Sequence, residues 1–460
     1  MTLPPGFARK SSSALPLYVL EAAQLPAWRD TQTAAVNGWL DAQSFTAAPG
    51  SSLLLPGRTG LSGAVIGVGD PLDPYAYGHA PFELPAGDWH LAVEPSDEAR
   101  AAMQLGWGLG SYRFERYKAA PRRPARLVLD DADAHAHAET LDILAACLRV
   151  RDLVNTPTED MGPDELEMTV RAIASSHHAR VEVVQGEELL ELNFPAIHAV
   201  GRASHRDPRL IAMRWGDAGN PHIVLVGKGV CFDTGGLDLK PADGMRHMKK
   251  DMGGAAHALA LAGLVMARKL PVRLTLLIPA VENAIASNAY RPGEVIATRK
   301  GIHVEIDNTD AEGRVVLGDA LTYASEQAPD LILDFATLTG AARVALGPDL
   351  PALFSNDDAL AADWVAAAEL TRDPLWRMPL WRPYLRYLDS QIADMVNAGS
   401  RMAGAVTAAL YLERFVSDDC SWAHLDVYAW NDTARSGRPA GGEASGLRSA
   451  YAMLKARYPR

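Results

Sequence analysis

Asp307, Asn308, Asp310 and Glu312 fall within six residues of one another, and Arg314 follows two positions later. Carboxylates crowded this closely repel one another unless a cation lies among them. The apolar approach at 301–306 reads as a strand delivering the cluster. If the chain stays extended, Asp310 and Glu312 point to the same side, because strand side chains repeat with period two. Gly313 then permits a sharp turn, and Arg314 adds a fixed cation beside the acids. Alone, such a D-x-E-x-R run also describes a solvated surface loop.

The preceding hundred residues favour a site. A strand-like run at 223–226 leads into Gly227-Lys228-Gly229, then Asp233-Thr234-Gly235-Gly236, then Lys240-Pro241. A phosphate-binding P-loop is excluded: Gly229 stands where Ser or Thr is needed, and no glycine lies five positions before Gly227. Next, Met248-Lys249-Lys250-Asp251 precedes a long Ala/Leu-rich helix at 253–267, which Asp251 could cap. Together, Asp233, Asp251, Asp310 and Glu312 with Lys228 and Lys240 form an oxygen-rich, cysteine-free donor set suited to Zn, Mn or Mg. Bridging carboxylates can hold two such ions about 3.5–4 Å apart, with one water turned into a hydroxide nucleophile for hydrolysis. One lysine beside two cations would lose its proton and coordinate; the other should stay charged to stabilise an oxyanion.

These residues need a scaffold, and 460 residues are too many for one ordinary core. We expect a smaller N-terminal α/β domain over 1–155 and a larger C-terminal α/β domain over 156–460. Short apolar runs at 17–20, 52–55, 64–68, 89–93 and 126–129 supply the first domain's strands. Its glycine-rich stretches, Gly67-Val68-Gly69 and Gly106-Trp107-Gly108-Leu109-Gly110, do not complete a dinucleotide fingerprint and read as turns or close packing. His135-Ala136-His137-Ala138-Glu139 opens a polar helix face, since H-E-x-x-H is absent. In the second domain, runs at 180–184, 210–214, 223–226, 272–278 and 331–334 alternate with helices, as in a mixed, largely parallel sheet covered on both faces. Functional residues of such sheets gather beyond the strand C-termini.

Composition narrows the function classes. Cys147, Cys231 and Cys420 are scattered and odd in number, which argues against a disulfide framework or thiolate zinc site and fits a reducing compartment. A formal charge of -12 without a basic tract counts against nucleic-acid binding. The apolar run 253–267 is too short to span a bilayer, and the signal-peptide-like stretch 14–20 is interrupted by Pro16, followed by Glu21 and without a convincing small-residue cleavage site, so no membrane partner and a cytoplasmic location are expected.

The ordered motifs, from Val226-Gly227-Lys228-Gly229 through Asn308-Thr309-Asp310-Ala311-Glu312-Gly313-Arg314 to Ala336-Thr337-Leu338-Thr339-Gly340-Ala341, resemble the leucyl aminopeptidase (cytosol aminopeptidase) family. The resemblance covers about 145–450 and is looser in the N-terminal third, chiefly at 106–118. It implies a dimetal aminopeptidase acting on small peptides with free N-termini, with Mn or Zn as the ions. Lys228, Asp233, Asp251 and Glu312 would bind one ion, and Asp233, Asp310 and Glu312 the other. It further implies that Lys240 stabilises the gem-diolate and that Arg314 holds a bicarbonate general base. Met248, Asn308, Thr337 and Gly340 match positions lining the first-residue pocket, and relatives are usually homohexamers. One departure is Gly441-Gly442-Glu443-Ala444-Ser445-Gly446, where the family often has a Lys-Gly-Ala-Thr-Gly-like stretch. Two rival readings are a binding or regulatory protein on the same fold, disfavoured by retention of Lys240 and Arg314, and a dimetal phosphoesterase, which would need a phosphate clamp beyond Arg314.

Overall fold

The structure is a computed structural model and describes residues 3–9, 11–129 and 135–459. The chain divides into two compact units, Met1–Leu148 with Asn431–Gly441, and Arg149–Trp430 with Gly442–Arg460. The division therefore falls at Leu148/Arg149, inside the Ala138–Asn155 helix, where 155/156 was expected from the loop that follows it. The return of 431–441 to the first unit is a long-range event that local signals do not carry.

The first unit holds β1 (Phe7–Ala8), β2 (Leu15–Glu21), β3 (Ser52–Pro56), β4 (Leu61–Val68), β5 (Asp88–Leu91) and β6 (Arg126–Val128). They form one sheet in the order β1-β6-β5-β2-β4-β3, parallel except for the β3–β4 pair. The helix Asp97–Ser111 is capped by Ser96, whose Oγ accepts from the Ala99 N–H at 3.3 Å. Gly106 is a close-packing residue inside this helix: a Cβ there would stand 1.7 Å from the Pro74 carbonyl oxygen.

The second unit is built on β7 (Arg180–Gln185), β8 (Arg209–Trp215), β9 (His222–Gly227), β10 (Gly229–Asp233), β11 (Arg273–Asn283), β14 (Leu331–Ala336), β15 (Ala352–Ser355), β16 (Trp376–Arg377) and β18 (Trp422–Asp426). A separate small sheet is made by β12 (Val295–Ala297), β13 (His303–Glu305) and β17 (Met395–Val396). The large sheet runs β16-β15-β18-β14-β9-β11-β8-β7, with β10 added alongside β11. Its centre is parallel: β18, β14, β9, β11 and β10 point the same way, so their C-terminal ends lie along one edge.

Residues that alternate along the central strands serve two helical layers. Val224, Val226 and Ile332 share a core with Val315, Leu317 and Leu321 of the Glu312–Ser325 helix. Phe335 turns the other way, its ring 6.2 Å from His257 and 5.9 Å from Trp364, on the helices Gly253–Ala267 and Asp358–Leu370. The Gly253–Ala267 helix is buried nearly throughout, which explains a sequence apolar on every side. Among the described residues no helix is long and apolar enough to cross a membrane, and the three cysteines are buried and form no disulfide.

Candidate metal centre

The C-terminal edge of the parallel strands carries the charged residues. β9 ends at Gly227 and hands over to Lys228, whose N–H donates to the Phe335 carbonyl at 3.0 Å, fixing the side chain's origin. Asp233 closes β10, Asn283 closes β11, Thr337 follows β14, and Asp426 closes β18. Asp251 comes from the Met248–Met252 turn before the Gly253–Ala267 helix. It does not cap that helix; instead Thr337 Oγ1 donates to its Oδ1 at 2.8 Å.

The acids of the 307–312 run enter differently from the extended arrangement expected. Asp310 sits in a turn and Glu312 is the first residue of the Glu312–Ser325 helix. Side-chain hydrogen bonds impose the turn. Asn308 Oδ1 accepts from the Asp310 N–H at 2.8 Å, an Asx-type turn, while Asn397 Oδ1 accepts from the Asp307 N–H at 2.8 Å. Thr309, fully buried, donates through Oγ1 to the Gly235 carbonyl at 2.6 Å and receives the Asp238 N–H at 2.8 Å. Gly313 is correspondingly a helix residue and not the site of a sharp turn: a Cβ there would meet Lys228 Cε at 2.5 Å.

This framework brings Lys228, Asp233, Lys240, Asp251, Asp310 and Glu312 to the wall of one cavity of about 330 Å³. Lys228 Nζ lies 2.7 Å from Asp251 Oδ2 and 2.8 Å from Glu312 Oε1. Lys240 Nζ lies 2.8 Å from Asp233 Oδ2 and also contacts Asp310. Asp233, Asp310 and Glu312 each offer an oxygen within 4.8 Å of the others. Met248, Thr337 and Gly340 line the same cavity; Asn308 and Arg314 are not among its lining residues.

Charge and burial are strained against each other. Burial, reinforced by Asp233, pushes the Glu312 carboxyl up to about 7. Burial opposes charge on Asp251 too, yet Lys228 holds that carboxyl below its ordinary range. Both lysines are held charged against burial, Lys228 chiefly by Asp251 and Glu312, and Lys240 chiefly by Asp233. Lys250 is buried beside them without such a partner pair, and burial lowers it to about 8. Four acids thus face two tightly paired ammonium groups, and Glu312 Oε2 is buried with no hydrogen-bond partner among the described residues. A buried carboxylate oxygen left unpaired is costly, and a divalent cation is the partner this donor set fits.

Arg314 is buried in the first turn of the helix; its Nη1 donates to the Asn397 carbonyl at 2.9 Å and its Nε has no partner among the described residues. The residues sequence reasoning missed are those that hold the loops. Asn283 Nδ2 donates to Asp233 Oδ1 at 2.9 Å and to the Thr309 carbonyl at 3.0 Å, and the Tyr290 hydroxyl donates to the same carbonyl at 2.6 Å. Nothing in their spacing marks them; only a polar Asn ending an apolar strand offered a signal. The departing stretch near the C-terminus has its own role. Glu443 is buried 3.1 Å from Arg151, the Gly442 N–H donates to Asn155 Oδ1 at 2.8 Å, and residues 442–446 do not line the cavity.

Comparison with known proteins agrees with this architecture. Residues 149–451 match the family model described as cytosol aminopeptidase family, catalytic domain, and residues 15–130 match the M17 aminopeptidase N-terminal domain. A protein of Roseiflexus castenholzii named probable cytosol aminopeptidase is 41% identical over 381 residues, covering 79% of this chain and 78% of its own. The crystal structure of a cytosol aminopeptidase from Coxiella burnetii superposes with a TM-score of 0.94 at 49% identity, covering 98% of each chain. The bottromycin maturation enzyme BotP in complex with Mn gives 0.86 at 33% identity, over 97% of this chain and 100% of that one. The chain belongs to the cytosol aminopeptidase family, metal-dependent exopeptidases of the leucyl aminopeptidase type.

Proposed function

We propose that the protein removes the N-terminal residue of small peptides at this cavity. In this reading Lys228, Asp233, Asp251 and Glu312 hold one divalent ion and Asp233, Asp310 and Glu312 a second, with Asp233 and Glu312 shared. The observation that carries it is the unbalanced buried cluster, whose Glu312 Oε2 has no partner among the described residues. Carboxylate and amine donors without thiolate suit Mn or Zn. Such ions supply Lewis acidity and lower the pKa of a water.

The side chains divide the remaining work. Lys240 polarises the scissile carbonyl and stabilises the oxyanion that develops on it, a role supported by its charge and its position next to Asp233 and Asp310. Arg314, whose Nε has no partner among the described residues, would hold a bicarbonate ion, which would supply a general base for the attacking water. No side-chain base is then needed. The substrate's free α-amine belongs among the carboxylates, which confines the reaction to the first residue. Met248, Thr337 and Gly340 form the wall that meets the first side chain, and Asn308 shapes the loop behind it. A cytoplasmic homohexamer follows from the family resemblance.

Metal content tests the assignment: elemental analysis of protein equilibrated with Mn should give two ions per chain, falling towards one in Asp310→Asn and in Asp251→Asn. Two ions retained in both variants would remove these acids from the ligand set.

A further inference from the structure

The cavity contains a cation that the reaction does not use. Arg343 belongs to the Gly340–Leu346 helix, lines the cavity, and lays its guanidinium over Tyr428 with Cζ 4.5 Å from the ring centre. Lys250 Nζ approaches the same ring at 5.2 Å. Every carboxylate on the cavity wall is engaged elsewhere. Asp233 and Asp310 contact Lys240, and Asp251 and Glu312 contact Lys228. Asp426 accepts from the Leu338 N–H at 2.9 Å and from Thr339 Oγ1 at 2.7 Å. Arg343 is exposed, and among the described residues no carboxylate lies within ion-pair distance of it.

An arginine stacked on an aromatic face has its orientation fixed and its N–H fork free, which is the geometry that receives a carboxylate by two parallel hydrogen bonds. A solvated surface arginine would need neither the ring beneath it nor a place on the substrate cavity. We propose that Arg343 is a specificity residue that recognises a carboxylate of the substrate, so that peptides bearing one near the cleaved bond are preferred. The carboxylate is an acidic side chain or the free C-terminus of a short peptide; both present the same group to the guanidinium. The inference rests on the aminopeptidase reading and names its substrate class.

The test compares kcat/KM for matched pairs on Mn-loaded enzyme: Leu-Gly against Leu-Gly-amide, Leu-Asp-amide against Leu-Asn-amide, and Glu-Gly-amide against Gln-Gly-amide. At least one pair should favour the carboxylate by about tenfold, the scale of a charge-assisted hydrogen bond, and the pair that does identifies the source. In Arg343→Gln that ratio should collapse towards one, and Arg343→Lys should restore it only partly. No preference in any pair, or a preference that Arg343→Gln leaves intact, overturns the proposal. Binding separates it from the parent reading. Titration calorimetry on Mn-loaded Lys240→Ala protein should show the same preference, lost when Arg343→Gln is added. If the peptides bind by this rule but the unmutated enzyme cleaves none of them, the aminopeptidase reading fails alone.

Discussion

Lys228 reaches Glu312 across the helix position that has no side chain. Its Nζ lies 2.8 Å from Glu312 Oε1, and its Cε occupies the space that a Cβ on Gly313 would enter, 2.5 Å away. Alanine in place of a helical glycine ordinarily stabilises by about 0.5–1 kcal/mol. Here Gly313→Ala should displace Lys228 and lower kcat/KM by about 100-fold, the scale of an ångström's misplacement at a reacting centre. Steady-state kinetics and metal content of Gly313→Ala check this; unimpaired activity would show that Lys228 can move without consequence.

Arg314 makes a second prediction. With bicarbonate removed by working in CO2-free buffer, the unmutated enzyme should slow and recover on adding bicarbonate back. Arg314→Met should be slower by about 100-fold, within the range for loss of a general base, and should not respond to bicarbonate. Equal bicarbonate responses in both proteins would detach Arg314 from this role.

The helix that carries Glu312 and Arg314 is tied to its neighbours by buried polar bonds, and Asp319 is one anchor. It is fully buried and accepts from the N–H groups of Ala196 and Arg299 at 2.8 Å each and of Ile197 at 3.3 Å. Asp319→Ala strands three buried donors and should cost about 3 kcal/mol, read by urea denaturation. A loss below about 1 kcal/mol would mean that water enters to replace the carboxylate.

How much of this was legible beforehand depended on what each residue is buried against. Strand β9 and the Gly253–Ala267 helix could be read because each is apolar but for one histidine and is buried almost throughout. β18 was not read because its buried side chains include polar ones: His424 Nδ1 lies 2.5 Å from Asp334 Oδ1, and Trp422 Nε1 donates to Asp334 Oδ2 at 2.7 Å. With His424 and Asp426 among its five residues β18 shows no apolar run, whereas β14 carries only Asp334 and keeps one. The acids were visible as a crowded set, but the extended path drawn through Asp310 and Glu312 lost to the Asn308 turn and to Asn397, 90 residues beyond Asp307. Local spacing identifies donors; their directions here are set by partners distant in the chain.

Stability should also depend on mildly acidic pH. His222 is buried, with its Nε2 3.0 Å from Thr275 Oγ1, and burial with the nearby Arg273 charge lowers it to about 4. Its folded value lies below the unfolded value near 6.5, so the unfolded chain binds the proton more readily. Stability from this group is complete above pH 6.5 and is lost as pH falls towards 4. Urea midpoints of His222→Gln between pH 7 and pH 5 should decline less steeply than those of the unmutated protein; parallel declines would assign the acid sensitivity to other groups.

The most direct test of the whole account is hydrolysis of aminoacyl-anilides and dipeptides by metal-stripped protein, before and after adding Mn or Zn. The account predicts no turnover without metal, release of the N-terminal residue once metal is restored, and loss of that release on N-acetylation of the substrate or in Lys240→Ala. Cleavage of N-acetylated peptides at an undiminished rate, or full activity in stripped protein, would contradict it.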